Sequence, residues 1–294
     1  MLSHKSRGFF RLLLVILTVG LASAGTLAWL GCGTAANHNS PKAVYLLLYA
    51  FPAEGKLLAA EMEISAVDTV LERPVQRGAL RGKDIILAES GMGMTNAAMT
   101  VQRLIDEYHP DAVVFSGIAG AIDSSVKIGD IVVNDRWATH DYGYIGGAGF
   151  EVEPVYVFSP EADSMIERFY FETDSELLAI ARELKSNLPE FDSIGGRVPR
   201  LIVGGTGVSG DQFIDQVEKR VWLSEEFGAL TTDMESAAVA QVCFANDVPF
   251  LVFRSASDLA GGSGSESAVT EIREFFQVAA DNSAEIVMLF FELM

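Results

Sequence analysis

Carboxylates stand just beyond apolar runs at three places where a plain hydrophobic core would need none. Glu54 closes the segment Tyr49-Ala50-Phe51-Pro52-Ala53-Glu54, Asp233 and Glu235 flank Met234 ahead of Ser236-Ala237-Ala238, and Asp258 ends Arg254-Ser255-Ala256-Ser257-Asp258. Acids aimed into one crevice can pass protons and steady positive charge. Each also has a plainer reading. A first-turn acid such as Glu54 is favoured by the helix dipole, and Arg254 could be the structural partner of a buried acid, because buried ions are normally paired.

Glycine-rich segments accompany the acids. Ser90-Gly91-Met92-Gly93-Met94-Thr95-Asn96 and Phe115-Ser116-Gly117-Ile118-Ala119-Gly120 each follow an apolar run, where glycine lets backbone turn tightly and approach a ligand. Neither has the glycine spacing and downstream acid of a dinucleotide fingerprint. A third stretch, from Gly204 to Ile214, delivers Phe213, an aromatic able to stack on a flat heterocycle or simply to anchor the core. His140-Asp141 resembles a catalytic dyad only in composition: neighbours on an extended chain point to opposite faces, so the pair is read as a loop anchor. Cys243 sits in an Ala-rich helical stretch and reads as core.

The elements needed to position these groups alternate. Val44–Ala50, Ile85–Ala88, Ala112–Ser116, Asp130–Val133, Leu201–Val203 and Phe250–Ala256 read as strands; Ala53–Met62, Thr95–Tyr108, Gln212–Arg220, Met234–Ala245 and Ser267–Leu293 read as helices. This order predicts an α/β fold: one domain with a central mixed, mostly parallel sheet flanked by helices. Ligands in such folds lie beyond the carboxyl ends of the strands, where the acids and glycines fall.

Of 294 residues, 40 are acidic and 21 basic, a formal net charge of −19 that repels phosphate backbones, so no nucleic-acid partner is expected. Two cysteines, Cys32 and Cys243, offer neither a disulfide framework nor a metal-ligand spacing, and no metal or cofactor is expected. Residues 1–36 hold Lys5, Arg7 and Arg11 and no acid, and Leu12–Leu30 is nearly all apolar. Residues 1–32 are therefore read as a signal or anchor segment, residues 33–41 as a polar tether and residues 42–294 as the catalytic domain. Ala22-Ser23-Ala24 offers a cleavage site, while Gly31-Cys32 resembles a bacterial lipoprotein boundary; a nineteen-residue run could also span a bilayer once. The expected setting is exported, periplasmic or membrane-anchored, with membrane contact only through this leader.

Ser90–Gly93, Ser116–Gly120 with Lys127-Ile128-Gly129-Asp130-Ile131-Val132-Val133, Ser209-Gly210-Asp211-Gln212-Phe213, Asp233–Ala238 and Arg254–Asp258 together resemble the 5'-methylthioadenosine/S-adenosylhomocysteine nucleosidases of the nucleoside phosphorylase superfamily. The resemblance runs from about Val44 to about Phe291 and leaves out the leader and the stretch Val152–Thr173, which reads as an insertion. It implies a nucleoside phosphorylase-like fold, a homodimer, an adenine nucleoside as substrate, and a part in purine and methionine salvage. It also implies residue roles: Asp258 protonates the purine at N7, Glu235 holds the ribose hydroxyls and Glu54 activates water. Phe213 stacks on the base, the Ile214 backbone reads its edge, Met234 packs on the sugar and Arg254 orients the acids. Phe51, Ile118, Ala119, Asp233 and Ser257 complete the expected substrate-binding set. Ile118 stands where a serine is frequent, Asp233 where a glutamate is usual and Phe51 where a methionine is familiar.

N-glycoside cleavage needs this set on physical grounds, since it leaves an oxocarbenium-like sugar and a purine anion to be protonated. Phosphorolysis would need arginines on the phosphate-facing loops, and neither glycine loop carries a basic residue, so hydrolysis leads. A purine nucleoside phosphorylase and a non-catalytic nucleoside-binding protein stay open as the other two readings.

Overall fold

The structure is a computed structural model that describes residues 42–294 apart from 187, 189, 190, 192 and 195. The leader, the tether and Cys32 lie outside the described residues. In chain order, β1 (Val44–Tyr49), α1 (Pro52–Glu61), β2 (Glu63–Val70), β3 (Arg73–Leu80), β4 (Lys83–Glu89), α2 (Met94–Tyr108) and β5 (Ala112–Ala121) form the first half. Short strands follow: β6 (Ile131–Val133), β7 (Arg136–Thr139), β8 (Gly143–Gly146), β9 (Gly149–Val152), β10 (Val155–Ser159), β11 (Ser164–Arg168) and β12 (Phe171–Glu172). The chain closes with α3 (Ser175–Glu183), β13 (Leu201–Val203), β14 (Thr206–Ser209), α4 (Val217–Phe227), β15 (Ala229–Asp233), α5 (Ser236–Ala245), β16 (Phe250–Leu259) and α6 (Ala268–Leu293).

Strands β12-β7-β14-β15-β5-β1-β4-β3-β2 run side by side, and β16 joins β5 to β6, which pairs in turn with β13. The inner pairs β1/β4, β1/β5, β5/β16 and β14/β15 are parallel, and β2, β3 and β12 add antiparallel margins. Mixed and mostly parallel is therefore the observed sheet.

The central strands are apolar throughout because both faces are covered. In β1, Leu47 joins the core shared with α1, α3 and α6, while Leu46 and Leu48 face the core shared with α2 and α5. Val114 against Val113 and Phe115 in β5, and Leu251 and Phe253 against Val252 in β16, divide in the same way. Three layers result, with the sheet in the middle.

The structure departs from the sequence reading at several elements. Residues 212–216 are not helical, and α4 starts at Val217 behind Gln216, whose side chain makes no cap. α5 starts at Ser236, and β16 continues past Asp258 to Leu259. The stretch 152–173 is a β10–β11 hairpin followed by β12, with Val155, Val157 and Phe171 buried in the α2/α5 core. None of its residues lines the cavity described below.

Candidate active site

Every expected site residue except Arg254 lines one connected recess at the carboxyl ends of β1, β5, β15 and β16. A cavity of about 130 Å³ is walled by Phe51, Glu54, Ile118, Ala119, Phe213, Asp233, Met234, Glu235, Ser257 and Asp258. A smaller recess of about 40 Å³ shares Phe213, Met234 and Asp258 with it and adds Ile214. Three surface concavities are roomier, at about 230, 450 and 520 Å³, but none is lined by a buried carboxylate.

Arg254 lies behind the wall. Its side chain is fully buried, with Nε 2.7 Å from an Asp233 oxygen and Nη2 3.4 Å from Glu235 Oε2. Nη1 makes no hydrogen bond and stands 3.7 Å from Glu54 Oε1, a charge contact only. The guanidinium also stacks 4.2 Å from the centre of the Phe115 ring. It thus binds the acids and does not touch the cavity, a correction to its expected place among substrate contacts. One cation shared by three acids cannot neutralise them all.

Glu54 enters from the first turn of α1, which Pro52 opens. Its Oε2 accepts the Ala50 N–H at 2.6 Å and its Oε1 the Ile118 N–H at 2.8 Å. Burial pushes its pKa up, against Arg254 and the backbone N–H bonds, which favour the charged form. Ser283 of α6 fixes the adjoining middle of β5 by hydrogen bonding to the Ser116 hydroxyl at 2.9 Å and the Gly117 N–H at 3.2 Å.

Glu235 stands at the N-cap position of α5 without a side-chain cap bond, and its Oε1 instead accepts the Gly93 N–H at 2.8 Å. Gly93 has φ +92°, a conformation that glycine adopts without strain, so the second glycine of Gly91-Met92-Gly93 is explained by this bond. Burial raises the Glu235 pKa to about 7; Arg254 opposes the shift, and Asp233 and Glu54 add to it. Asp233 spends its oxygens on Arg254, on the hydroxyls of Ser209 and Ser236 and on the Glu235 and Ser236 N–H groups. It lines the cavity, yet its work is to seat α5 and Arg254.

Asp258 comes from a register shift in β16: Ala256 pairs with Ala119 and Asp258 with Gly120, leaving Ser257 bulged between them. A bulge re-aims side chains, and here both Ser257 and Asp258 reach the cavity. The Ser257 hydroxyl donates to Asp258 Oδ2 at 2.8 Å. Burial, the foremost cause, raises the Asp258 pKa to about 7, with Glu271 and Asp215 adding to the rise. A carboxyl half-protonated at neutral pH is suited to give a proton away.

The cavity is therefore bipolar. Asp258 shares one end with the apolar Phe213 and Ile214, while Glu54 and Glu235, tied by Arg254, gather at the other. No Lys, Arg or His lines it. The guanidinium of Arg73 reaches the first glycine loop from β3, but it donates to the Ser90 carbonyl at 3.1 Å and lies outside the cavity wall. Among the described residues no three His, Cys, Asp or Glu side chains are grouped as metal ligands.

Asp141 accepts the Asp211 N–H at 2.9 Å, so it anchors the loop that carries Phe213 and Ile214. His140 is buried with neither ring nitrogen hydrogen-bonded, and burial lowers its pKa to about 4. Sequence reasoning did not include Met92, Thr232 and Ile272 among the cavity residues. Met92 and Thr232 lie inside motifs already marked, whereas Ile272, one apolar residue in a long helix, gave no signal.

Comparison with known proteins gives the family, and also reaches the futalosine hydrolase of Helicobacter pylori, 26% identical with a TM-score of 0.68 over 84% of this chain and 97% of that one. The Phosphorylase superfamily profile matches residues 45–292. The 5'-methylthioadenosine/S-adenosylhomocysteine nucleosidase of Tolumonas auensis is 35% identical over 213 residues, 72% of this chain and 83% of that protein. The Neisseria meningitidis nucleosidase of the same name, solved with methylthio-immucillin-A, superposes with a TM-score of 0.70 at 27% identity, covering 85% of this chain and 99% of that one. The Helicobacter pylori nucleosidase, solved with a pyrrolopyrimidine-bearing pyrrolidinol, gives a TM-score of 0.71 at 25% identity over 86% and 99%.

Proposed function

The chain belongs to the 5'-methylthioadenosine/S-adenosylhomocysteine nucleosidases of the phosphorylase superfamily, and from that premise we infer that its acidic cavity is where the N-ribosidic bond of an adenine nucleoside is hydrolysed. The enzyme is an N-glycosyl hydrolase that releases the free purine base.

Each side chain has a part in that step. Water attacks the anomeric carbon and gives a proton to Glu54, whose carboxylate keeps acceptor capacity beyond its bonds from the Ala50 and Ile118 N–H groups. The C–N bond breaks with its electron pair moving into the purine, and Asp258 delivers a proton to N7. Glu235 accepts hydrogen bonds from the ribose hydroxyls and, with Glu54, stabilises the cationic sugar. Phe213 supplies a stacking face for the base. Arg254 keeps Glu54 and Glu235 charged enough to act, since an opposite charge favours the ionised form.

One observation carries the choice of hydrolysis over phosphorolysis. Among the described residues no Lys, Arg or His lines the cavity, the Arg254 guanidinium behind it is already shared by Glu54, Asp233 and Glu235, and that of Arg73 is turned to the Ser90 carbonyl, so an incoming phosphate would meet carboxylates at the wall. Incubation of the purified domain with methylthioadenosine, with and without inorganic phosphate, tests it. Equal adenine release in both supports hydrolysis, strict phosphate dependence establishes phosphorolysis, and binding without product identifies a nucleoside-binding protein.

Export with anchoring through residues 1–32, salvage of external nucleosides and homodimerisation belong to the same proposal. The basic start, the apolar run and Cys32 support the first. Among the described residues no helix is long and apolar enough to cross a membrane, so membrane contact in this proposal belongs to the leader. The exposed Tyr142, Tyr144 and Ile145 support a subunit interface. Fatty-acid labelling of wild type and Cys32→Ala checks the lipid, and light scattering checks the dimer.

A further inference from the structure

We propose that Glu271, outside the cavity wall, together with the nearby Asp215, is a positioning residue that holds Asp258 in its proton-donating form. This rests on the reading of Asp258 as the acid that protonates the leaving purine.

Glu271 lies in the first turn of α6 and is only 4% exposed. Its Oε2 accepts the N–H of Leu259, the residue that follows Asp258, at 2.8 Å, and its Oε1 accepts the Ser263 N–H at 2.9 Å. These bonds pin the end of β16 and the loop beyond it, so the backbone that aims Asp258 is tied to α6. Among the described residues Glu271 forms no ion pair, unlike Glu54, Asp233 and Glu235, which share Arg254. A buried anion without a counter-ion exerts its field on its neighbours with little screening. Asp215, whose Oδ1 accepts the Ala268 N–H at 2.8 Å, brings a second anion from the loop before α4.

The charged groups that shift Asp258 share one sign, while Arg220 of α4 donates to the Gly262 carbonyl at 3.1 Å and Arg254 is tied to Glu54, Asp233 and Glu235. Ser257 gives it a single hydroxyl bond, β5 contributes uncharged Ala119 and Gly120, and the acids Glu54, Asp233 and Glu235 line the same cavity with no cation among its lining residues. Beyond burial itself, Glu271 and then Asp215 are the causes that raise the Asp258 pKa. An acid surrounded in this way keeps its proton near neutral pH, which the leaving purine requires.

A purely structural Glu271 would matter equally at every pH, and that difference is the test. The pH dependence of kcat for adenine release is measured in wild type, Glu271→Gln, Glu271→Asp and Asp215→Asn. The expected result for Glu271→Gln is an alkaline limb displaced acidward by about one pH unit, which lowers kcat about tenfold at alkaline pH and little on the acid side. Glu271→Asp, which keeps the charge, restores the limb. Asp215 is exposed, and Asn keeps an oxygen to accept the Ala268 N–H; the Asn variant shifts the limb the same way by less and decides the matter if the Gln variant does not fold. A uniform loss at all pH values in Glu271→Gln, or an unmoved limb in both charge-removing variants, overturns the proposal. Asp258→Asn separates the two ideas: full activity in that variant removes Asp258 as the acid, whereas an inactive Asp258→Asn beside an unmoved limb removes Glu271 alone.

Discussion

Glu54 and Arg254, 200 residues apart in the chain, meet with their charged groups 3.7 Å apart and both side chains withdrawn from solvent. What allows the approach is Gly117. A Cβ built there would lie 2.0 Å from Arg254 Nη1 and 2.6 Å from Glu54 Oε1. The pair is packed against bare backbone, and Asp233 and Glu235 are referenced to it through the same guanidinium.

Gly117→Ala is therefore expected to push the guanidinium and the carboxylate off their positions. A displacement near 1 Å in catalytic groups costs on the order of 100-fold in kcat, and overpacking costs about 1–3 kcal/mol of stability. Steady-state kinetics and thermal unfolding of the variant check both, and unchanged kinetics would show that the Glu54 geometry tolerates slack.

Asp258 titrates at about 7 in the fold and at about 3.9 in an unfolded chain. A raised pKa means that the folded state pays for ionising this group: its contribution to stability is whole below about pH 4 and declines as pH rises through about 7. Asp258→Asn escapes that loss. Relative to wild type it should gain nothing near pH 4, gain progressively up to about pH 7 and level off above, at roughly 1.4 kcal/mol or less per unit crossed. Activity should move the other way, with kcat down about 10²- to 10⁴-fold. Denaturant titrations at several pH values, paired with kinetics, check this exchange of stability for function.

Much of this site is legible from strand ends alone. Glu54 and Asp258 each follow an apolar run, and a three-layer α/β fold puts the carboxyl ends of such runs around one crevice. Glu235 is marked instead by the acids ahead of its Ala-rich helix, because β15, Ala229-Leu230-Thr231-Thr232-Asp233, lacks the apolar run that marks a strand. What is not legible depends on contacts between distant segments. Gln212–Arg220 has helix-forming composition, yet Asp215 is bonded to the start of α6 and Gly261 packs against Val217, where an added Cβ would lie 2.7 Å from its nitrogen; the helix begins only past those contacts. The β2–β3 hairpin carries Pro74, Gly78 and alternating exposed residues, so its strands lack the apolar run that marks a central strand. Glu271 looks like an ordinary first-turn acid, and only the fold shows that it reaches back to Leu259.

Glu235 is assigned to the ribose hydroxyls, and a substrate missing one tests that more sharply than a mutation alone. Glu235→Gln should lower kcat/KM for methylthioadenosine by about 10²-fold, since bonds to charged groups are worth about 1.5–3 kcal/mol. Against the 2'- or 3'-deoxy analogue the same substitution should cost much less, because the partner hydroxyl is already gone. Equal losses on all three substrates would move Glu235 from sugar binding to a purely electrostatic task.

Phe213 is 44% exposed at the mouth of the cavity, a position wasteful for an aromatic unless something covers it. Its loop is tethered on both sides: Asp141 holds the Asp211 N–H and Asp211 accepts the Met94 N–H at 2.7 Å before the ring, and the Ile214 carbonyl accepts the Gly261 N–H at 3.1 Å after it. The ring is thus presented on a fixed backbone, and a purine stacked on it would bury the exposed face. Base–aromatic stacking is worth about 1–3 kcal/mol when measured by truncation to alanine. Phe213→Ala should therefore raise KM roughly 5- to 100-fold while leaving the thermal midpoint almost unchanged, because an exposed side chain away from core contacts contributes within about 0.5 kcal/mol. Kinetics and melting curves on the one variant decide it: a fall in stability with KM intact would make Phe213 a core anchor and leave the base without its stacking partner.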